Sequence, residues 1–334
     1  MPSEVEEPFE TRPAGAPQEP PRRGVTKPFV DGEVTVEVPA TSANLGPGFD
    51  TLGVSLGYYD TLTASIADGI DVTVEGEGTG RLPVGDRHLV VRSMMAAFAR
   101  AGVEVPGVRL HCVNVIPHSR GMGSSSAAIV GGLALARALL TDREAFSDQA
   151  LLELANELEG HPDNVAPAIF GGFTISGQVQ RGDSAYVWAV GSPLSPDVSA
   201  VVFIPPTGVN TKTARGLLPA TVSHADAAAN SGRAALLVTA LNGAPEYLHR
   251  ATEDFLHQSY RSSAMPESYG LMQRLRADGV PAIISGAGPT VLAFTAPGLR
   301  DADSLLSECP AGWQALHLAV GGEGVREQNT PPTS

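Results

Sequence analysis

The segment Pro117-His118-Ser119-Arg120-Gly121-Met122-Gly123-Ser124-Ser125-Ser126 limits the possible folds of this chain more than any other. It follows a β-branched run, Val108 to Val115, and opens a stretch in which Ile129, Leu133, Ala136 and Leu140 recur at helical spacing. A strand, a glycine turn and a helix in that order leave the first N–H groups of the helix unpaired and its positive dipole end turned to an anion. Gly121 and Gly123 let the backbone turn with no Cβ in the way, and three serines add hydroxyls that can bond phosphate oxygens or ligate a hard cation. No Gly-Lys-Ser/Thr follows, so this is not a Walker A loop. The third glycine and the downstream acid of a dinucleotide fingerprint are missing as well. Taken alone, a Gly-x-Gly-Ser-Ser run is read equally well as a capped helix after an ordinary turn.

Two more loops of small residues stand far away in the chain. Val38 to Gly53 reads VPATSANLGPGFDTLG, and Ser285 to Thr290 reads SGAGPT. Three separated segments with few bulky side chains point to backbone closing on a ligand from several directions.

The rest of the chain supplies a core for such a site. Of 334 residues, 43% are hydrophobic and 17% charged, enough apolar material for one large or two ordinary domains. Val34 to Val38, Asp71 to Glu75, Val108 to Val115, Phe170 to Ser176, Tyr186 to Val190, Val198 to Ile204, Ala282 to Ser285, Thr290 to Thr295 and Leu316 to Val320 read as strands. Helices are expected at His88 to Ala101, from Ser124, from Ser147 to a stop at Gly160 and Pro162, and at Ala225 to Ala240, Pro245 to Leu256 and Glu267 to Ala277. The class is α+β with two lobes, residues 29–192 and 193–320, joined in the Gly/Ser/Pro stretch Gly191 to Pro196. Residues 1–28, rich in Pro and Glu, read as a disordered tail, and 321–334 as a flexible one.

A net charge of −14, from 22 Lys+Arg against 36 Asp+Glu, argues against nucleic acid or an anionic membrane as a partner. No apolar run is long enough to span a bilayer, and the N-terminus has no secretory pattern. Cys112 and Cys309 are too few for a disulfide scaffold or a cysteine-rich metal site, so a reduced, cytoplasmic setting is expected.

Taken together, the three loops resemble the GHMP kinase superfamily, whose three motifs occur in this order. PATSANLGPGFDTLG is similar to the version carried by the homoserine kinases. The second motif departs from the family pattern, with Met122 in place of Leu and Ser126 in place of Ala, and neither change removes a backbone donor. EGHPDNVAPAIFGG (Glu159 to Gly172), TKTARGLLP (Thr211 to Pro219) and HQSYR (His257 to Arg261) resemble further segments of the same family, so that the resemblance spans roughly residues 30 to 320. It implies a ribosomal-S5-like N-terminal lobe that binds ATP and a ferredoxin-like C-terminal lobe.

The resemblance also implies residue roles. ATP phosphates would lie on Pro117, Arg120, Gly121, Met122, Gly123, Ser124, Ser125, Ser126 and Ala127, with Mg²⁺ near Ser124 and held by either Glu157 or Glu159. L-homoserine would meet Asn44, Asp50, His161, Asp163, Asn164, Thr211, Arg215 and Arg261. A zwitterion suits that set, because its carboxylate calls for a bidentate guanidinium and its ammonium for a carboxylate. The implied reaction is in-line transfer of the γ-phosphoryl group to the homoserine hydroxyl, within threonine biosynthesis, with Asp50, Asn164 and Arg215 at the reacting centre. Asn164 stands where mevalonate kinase relatives have an Asp base. An amide cannot take a proton as a base does, so Asn164 is assigned to orientation and base catalysis stays open, with Asp50 or transfer through phosphate or water as alternatives. His118 reads as a solvated loop residue, and Arg120 as a cation in reach of the nucleotide. Two rivals remain: a GHMP kinase for mevalonate, a sugar or shikimate, and a non-catalytic nucleotide sensor on the same fold. The family often forms homodimers, although the residues themselves carry no interface signal.

Overall fold

The structure, a computed structural model, describes residues 27–144, 146–181 and 184–328. The first lobe runs β1 (Val34–Ala43), β2 (Leu52–Ile66), β3 (Gly69–Gly76), α1 (Leu89–Arg100), β4 (Gly107–Asn114), α2 (Ser124–Leu139), α3 (Asp148–Glu159), α4 (Pro162–Phe170), β5 (Phe173–Arg181) and β6 (Ser184–Ser192). The second runs β7 (Ser199–Ile204), α5 (Thr211–Arg215), α6 (His224–Leu241), α7 (Leu248–Ala251), α8 (Pro266–Ala277), β8 (Ala282–Ile284), β9 (Val291–Thr295), α9 (Ala302–Leu306) and β10 (Gln314–Ala319). A short β11 (Arg326–Glu327) then returns to the first lobe and pairs with β1.

One sheet carries the order β11-β1-β2-β4-β3, with β5 branching from the N-terminal residues Leu52 to Val54 of β2 and β6 pairing with β5; the other carries β10-β7-β9-β8. Only β3 and β4 pair in parallel, because α1 lies between them and carries the chain back to the end it started from. In the first lobe α2 and α4 pack on β1 and β2, and α1 and α3 pack on α2. α2 is apolar almost all round, with Ile129, Val130, Leu133, Leu135 and Leu139 buried, as befits a helix covered on every side.

The strand β7 shows how the lobes are joined. Its alternate residues Ala200, Val202 and Ile204 belong to the same apolar core as α2 and β1, while Val201 and Phe203 face Leu271, Met272 and Leu275 of α8 in a second cluster. A period of two thus places one face of the second sheet on the first lobe and the other on its own helix.

Several expectations need correction. The N-terminal tail, residues 1–28, lies outside the described residues up to 26. Pro28 already accepts a bond from the Thr141 N–H. Of the expected C-terminal tail, 329–334 lie outside the described residues, whereas 321–328 are part of the fold: the Gly321 N–H bonds to Ser55 O and β11 pairs with β1. Gly160 does end α3, but Pro162 opens α4 rather than a loop, and the strand expected from Phe170 begins at Phe173. The helix expected over Pro245 to Leu256 is a 3₁₀ turn and the four residues of α7. The longest strand, β2, and the short helices α5 and α9 had no counterpart in the sequence reading.

Candidate active site

The three glycine-rich loops meet. Gly121 O accepts from Ser285 Oγ (2.6 Å), and that hydroxyl also bonds Ser42 Oγ (2.8 Å), so one serine ties the third motif to the other two. Asn44 completes the join: its Nδ2 donates to Gly286 O and its Oδ1 accepts from Asp50 N–H, both at 2.9 Å. Gly123, the cap residue of α2, has φ +70°, and a Cβ there would stand 2.0 Å from Thr41 Oγ1. Only glycine fits that turn. No side chain caps α2, so its first-turn amides are free to meet an anion.

Asn44, Asp50, Gly121, Gly123, Ser124, Ser125, Glu159, His161, Asp163, Asn164, Thr211, Arg215 and Arg261 line one cavity beside these loops. The starts of α2 and α4, the last residue of α3 and the two ends of the short α5 deliver most of its polar groups. Ser119, Gly286 and Ala287, which belong to two of the three loops but had no role of their own in the sequence reading, also line it. Ser119 sits within the phosphate loop and has φ +56°, and the other two belong to the third motif. Thr41 is a further omission; its Oγ1 donates to Asn164 Oδ1 (2.9 Å), which leaves the Asn164 NH₂ as a donor.

Charge is paired across the cavity. Arg215 grips Asp50 with two bonds, at 2.8 and 2.9 Å, and that bond raises its already high pKa. His161 Nδ1 lies 2.7 Å from Asp163 Oδ1. Burial alone would lower the His161 pKa, but the hydrogen bond and charge of Asp163, with Glu159 behind, raise it on balance. Arg261 is 2% exposed, and its pKa is lowered by burial and by the nearby Arg215. Both guanidiniums lie over the Phe49 ring, Arg215 at 5.6 Å and Arg261 at 5.3 Å from its centroid.

The two glutamates separate cleanly. The Glu159 carboxylate accepts from Ser125 Oγ (2.8 Å) and Ser126 Oγ (3.1 Å) at the start of α2. Glu157 is outside the cavity and bonds Arg100 with both oxygens at 2.8 Å. Oxygen donors at a helix start suit a hard cation such as Mg²⁺, which takes few protein ligands and completes its shell with phosphates and water. Among the described residues no group of three or more His, Cys, Asp or Glu stands together that could hold a metal ion.

Other expected phosphate-loop residues stand behind the cavity. Pro117, Met122, Ser126 and Ala127 do not line it; Met122 and Ala127 are fully buried in the core, and the Ser126 hydroxyl bonds Glu159. Arg120 does not point to the cavity. Its guanidinium donates to the carbonyls of His118 (2.7 Å), Pro205 (3.1 Å) and Pro206, tying the loop to the segment after β7. His118 is not solvated either: it is half-buried, burial lowers its pKa, and it lines a second cavity.

That second cavity adjoins the first and shares Ser119, Ser124 and Ser125 with it. Leu62, Leu82, Pro83, Leu89, Val90 and Ala128 make it mainly apolar. Asp60, at its edge, accepts the N–H groups of Val115 (2.6 Å) and Ile116 (2.9 Å), yet burial pushes its carboxyl up to about 6.

A strand, a glycine turn and a serine-rich helix start facing paired arginines across one cavity are the marks of a small-molecule phosphotransferase, and the family described as GHMP kinases N terminal domain matches residues 88–172, from the cap of α1 to the glycines after α4. The homoserine kinase of Streptomyces avermitilis is 52% identical over 299 residues, covering 89% of this chain and 96% of that protein. The homoserine kinase of Mycobacterium tuberculosis is 45% identical over 292 residues, covering 86% and 92%. Among solved structures, homoserine kinase from Cytophaga hutchinsonii superposes with a TM-score of 0.76 at 27% identity, covering 89% of this chain and 98% of that one. The chain belongs to the homoserine kinase family of GHMP kinases.

Proposed function

We propose that this chain transfers the γ-phosphoryl group of ATP to the side-chain hydroxyl of L-homoserine, giving O-phospho-L-homoserine and ADP, with Mg²⁺ as cofactor, in the cytoplasm as a step of threonine biosynthesis. One observation carries the reading: a single cavity is lined by the uncapped start of α2 and, from other elements, by Arg215 and Arg261 with Asp50 and Asp163. Phosphate suits the first set. The second offers guanidinium to a carboxylate and carboxylate to an ammonium, as a small amino acid requires. An uncharged sugar would leave buried Arg261 without a counter-charge.

The adjoining apolar cavity has the character of a nucleoside site, and the shared serines put the phosphates between base and acceptor. Mg²⁺, held by Glu159 with Ser124 or Ser125, would neutralise charge on the transferring phosphoryl group. Gly121 and Gly123 bring backbone close to the phosphates, and the first-turn amides of α2 hold their oxygens. Asn164, its carbonyl fixed by Thr41, donates from its NH₂ and so orients the acceptor hydroxyl. Both oxygens of Asp50 are bonded to Arg215, which favours a binding role for Asp50 over proton abstraction. Positioning and charge neutralisation then carry the reaction, as a loose transition state allows.

The test is ADP release with Mg-ATP against L-homoserine, mevalonate, galactose and shikimate. Release above the no-acceptor rate is expected with homoserine alone; release with another alcohol and not with homoserine would overturn the reading.

A further inference from the structure

His257 lines no part of the cavity, yet it joins two of its walls. It sits between α7 and α8 and is fully buried. Its Nε2 lies 2.8 Å from Gly46 O in the first motif. A carbonyl only accepts, so Nε2 carries a proton. Its Nδ1 lies 3.3 Å from Arg261 Nη1, and a guanidinium only donates, so Nδ1 must be the bare nitrogen. One species satisfies both contacts: the neutral imidazole protonated at Nε2. Burial and the charge of Arg261 favour that neutral form, against the opposing pull of Asp254, the Gly46 carbonyl and Asp50.

The surroundings leave the ring no other seat. The Asp254 carboxylate accepts the backbone N–H groups of Leu256, His257 and Gln258, fixing the turn that presents the ring. Phe49 stacks on the imidazole with centroids 5.3 Å apart, and the Arg261 guanidinium lies over the same ring. Arg261 itself is under-tied for a buried cation: its Nε has no partner, and among the described residues its side-chain bond to His257 is its only one to a side chain.

We propose that His257 is a positioning residue for the phosphoryl acceptor: by bonding Gly46 O and Arg261 Nη1 at once, it sets the Arg261 guanidinium against the loop 44–50, where it receives the acceptor's carboxylate. This rests on the reading of the cavity as an amino-acid site. An asparagine amide oxygen can take the place of Nδ1, and a glutamine amide NH₂ that of Nε2, so the two contacts are separable.

His257→Gln keeps the tie to Gly46 and loses the acceptor for Arg261; its KM for L-homoserine should rise about tenfold or more, with kcat and the KM for ATP within about threefold. His257→Asn, which restores the acceptor, should recover most of that loss. In an Arg261→Met background, His257→Gln should add less than about twofold, because no donor is left there for Nδ1. An unchanged homoserine KM in His257→Gln, or a full additive effect in the Arg261→Met background, would overturn the proposal. Should the variants fail to fold, the imidazole ¹⁵N shifts of the wild-type protein decide it: a neutral ring protonated at Nε2 supports the assignment, and an imidazolium or an Nδ1-protonated ring sinks it. A wild-type protein that does not phosphorylate homoserine would instead refute the substrate reading, and the tautomer measurement would still stand apart.

Discussion

Glu157 and Glu159 are two residues apart on α3, which turns their side chains about 200° from one another. One meets Arg100 on α1 and the other the serines that open α2. The first contact is a half-exposed ion pair, of a kind that contributes about 0–1 kcal/mol. The second puts a carboxylate beside the proposed phosphate site. Glu159→Gln should therefore lower kcat by on the order of 10²-fold and raise the Mg²⁺ needed for half-maximal turnover. Glu157→Gln should leave both within about twofold. Steady-state rates over a Mg²⁺ series check the pair, and equal losses in the two variants would contradict the assignment.

At the scale of elements, the site depends on how closely α4 lies on β2. A Cβ at Gly53 of β2 would fall 1.9 Å from Asp163 O and 2.9 Å from Pro167 Cγ. Gly53→Ala should push the first turn of α4 away, costing about 1–3 kcal/mol of stability and raising the homoserine KM as His161, Asp163 and Asn164 shift together. Urea unfolding and acceptor titration measure the two effects; wild-type stability would show that the contact is slack. The sequence pointed to the residues of α4 through a motif but not to the helix itself. Gly160 followed by Pro162 has the form of a stop signal, and here it is both the C-terminal cap of one helix and the first position of the next, where proline's fixed φ is favourable. β2 escaped notice for a different reason: its apolar face runs through Leu52, Val54, Leu56, Leu62 and Ala64, but the buried Asp60 interrupts that face and Gly53 and Gly57 carry the look of turns. Arg120 and His118 were misplaced because what surrounds them is remote in sequence. Pro205 and Pro206 lie beyond six further elements, α2 to β7, and walls around His118 come from α1 and the loop before it. Periodicity sees neighbours along one element and is blind to such meetings.

Across the whole molecule, the two lobes share an apolar core through β7, and Arg120, Asn44 and His257 bridge them with polar contacts. Asn44 bonds Gly286, 242 residues away, and Arg215 bonds Asp50, 165 residues away. The cavity therefore exists only in the assembled fold, which is why composition revealed nothing of it and why the three loops had to be weighed together. The negative net charge of the chain would repel ATP at long range, leaving affinity to the local amides, arginines and metal. The most direct test of the account is ³¹P NMR of the intact protein with Mg-ATP and L-homoserine. We predict a new phosphomonoester resonance that grows in step with ADP and is lost when homoserine is omitted. ADP appearing with inorganic phosphate alone, or no ATP consumption in the presence of homoserine, would contradict it.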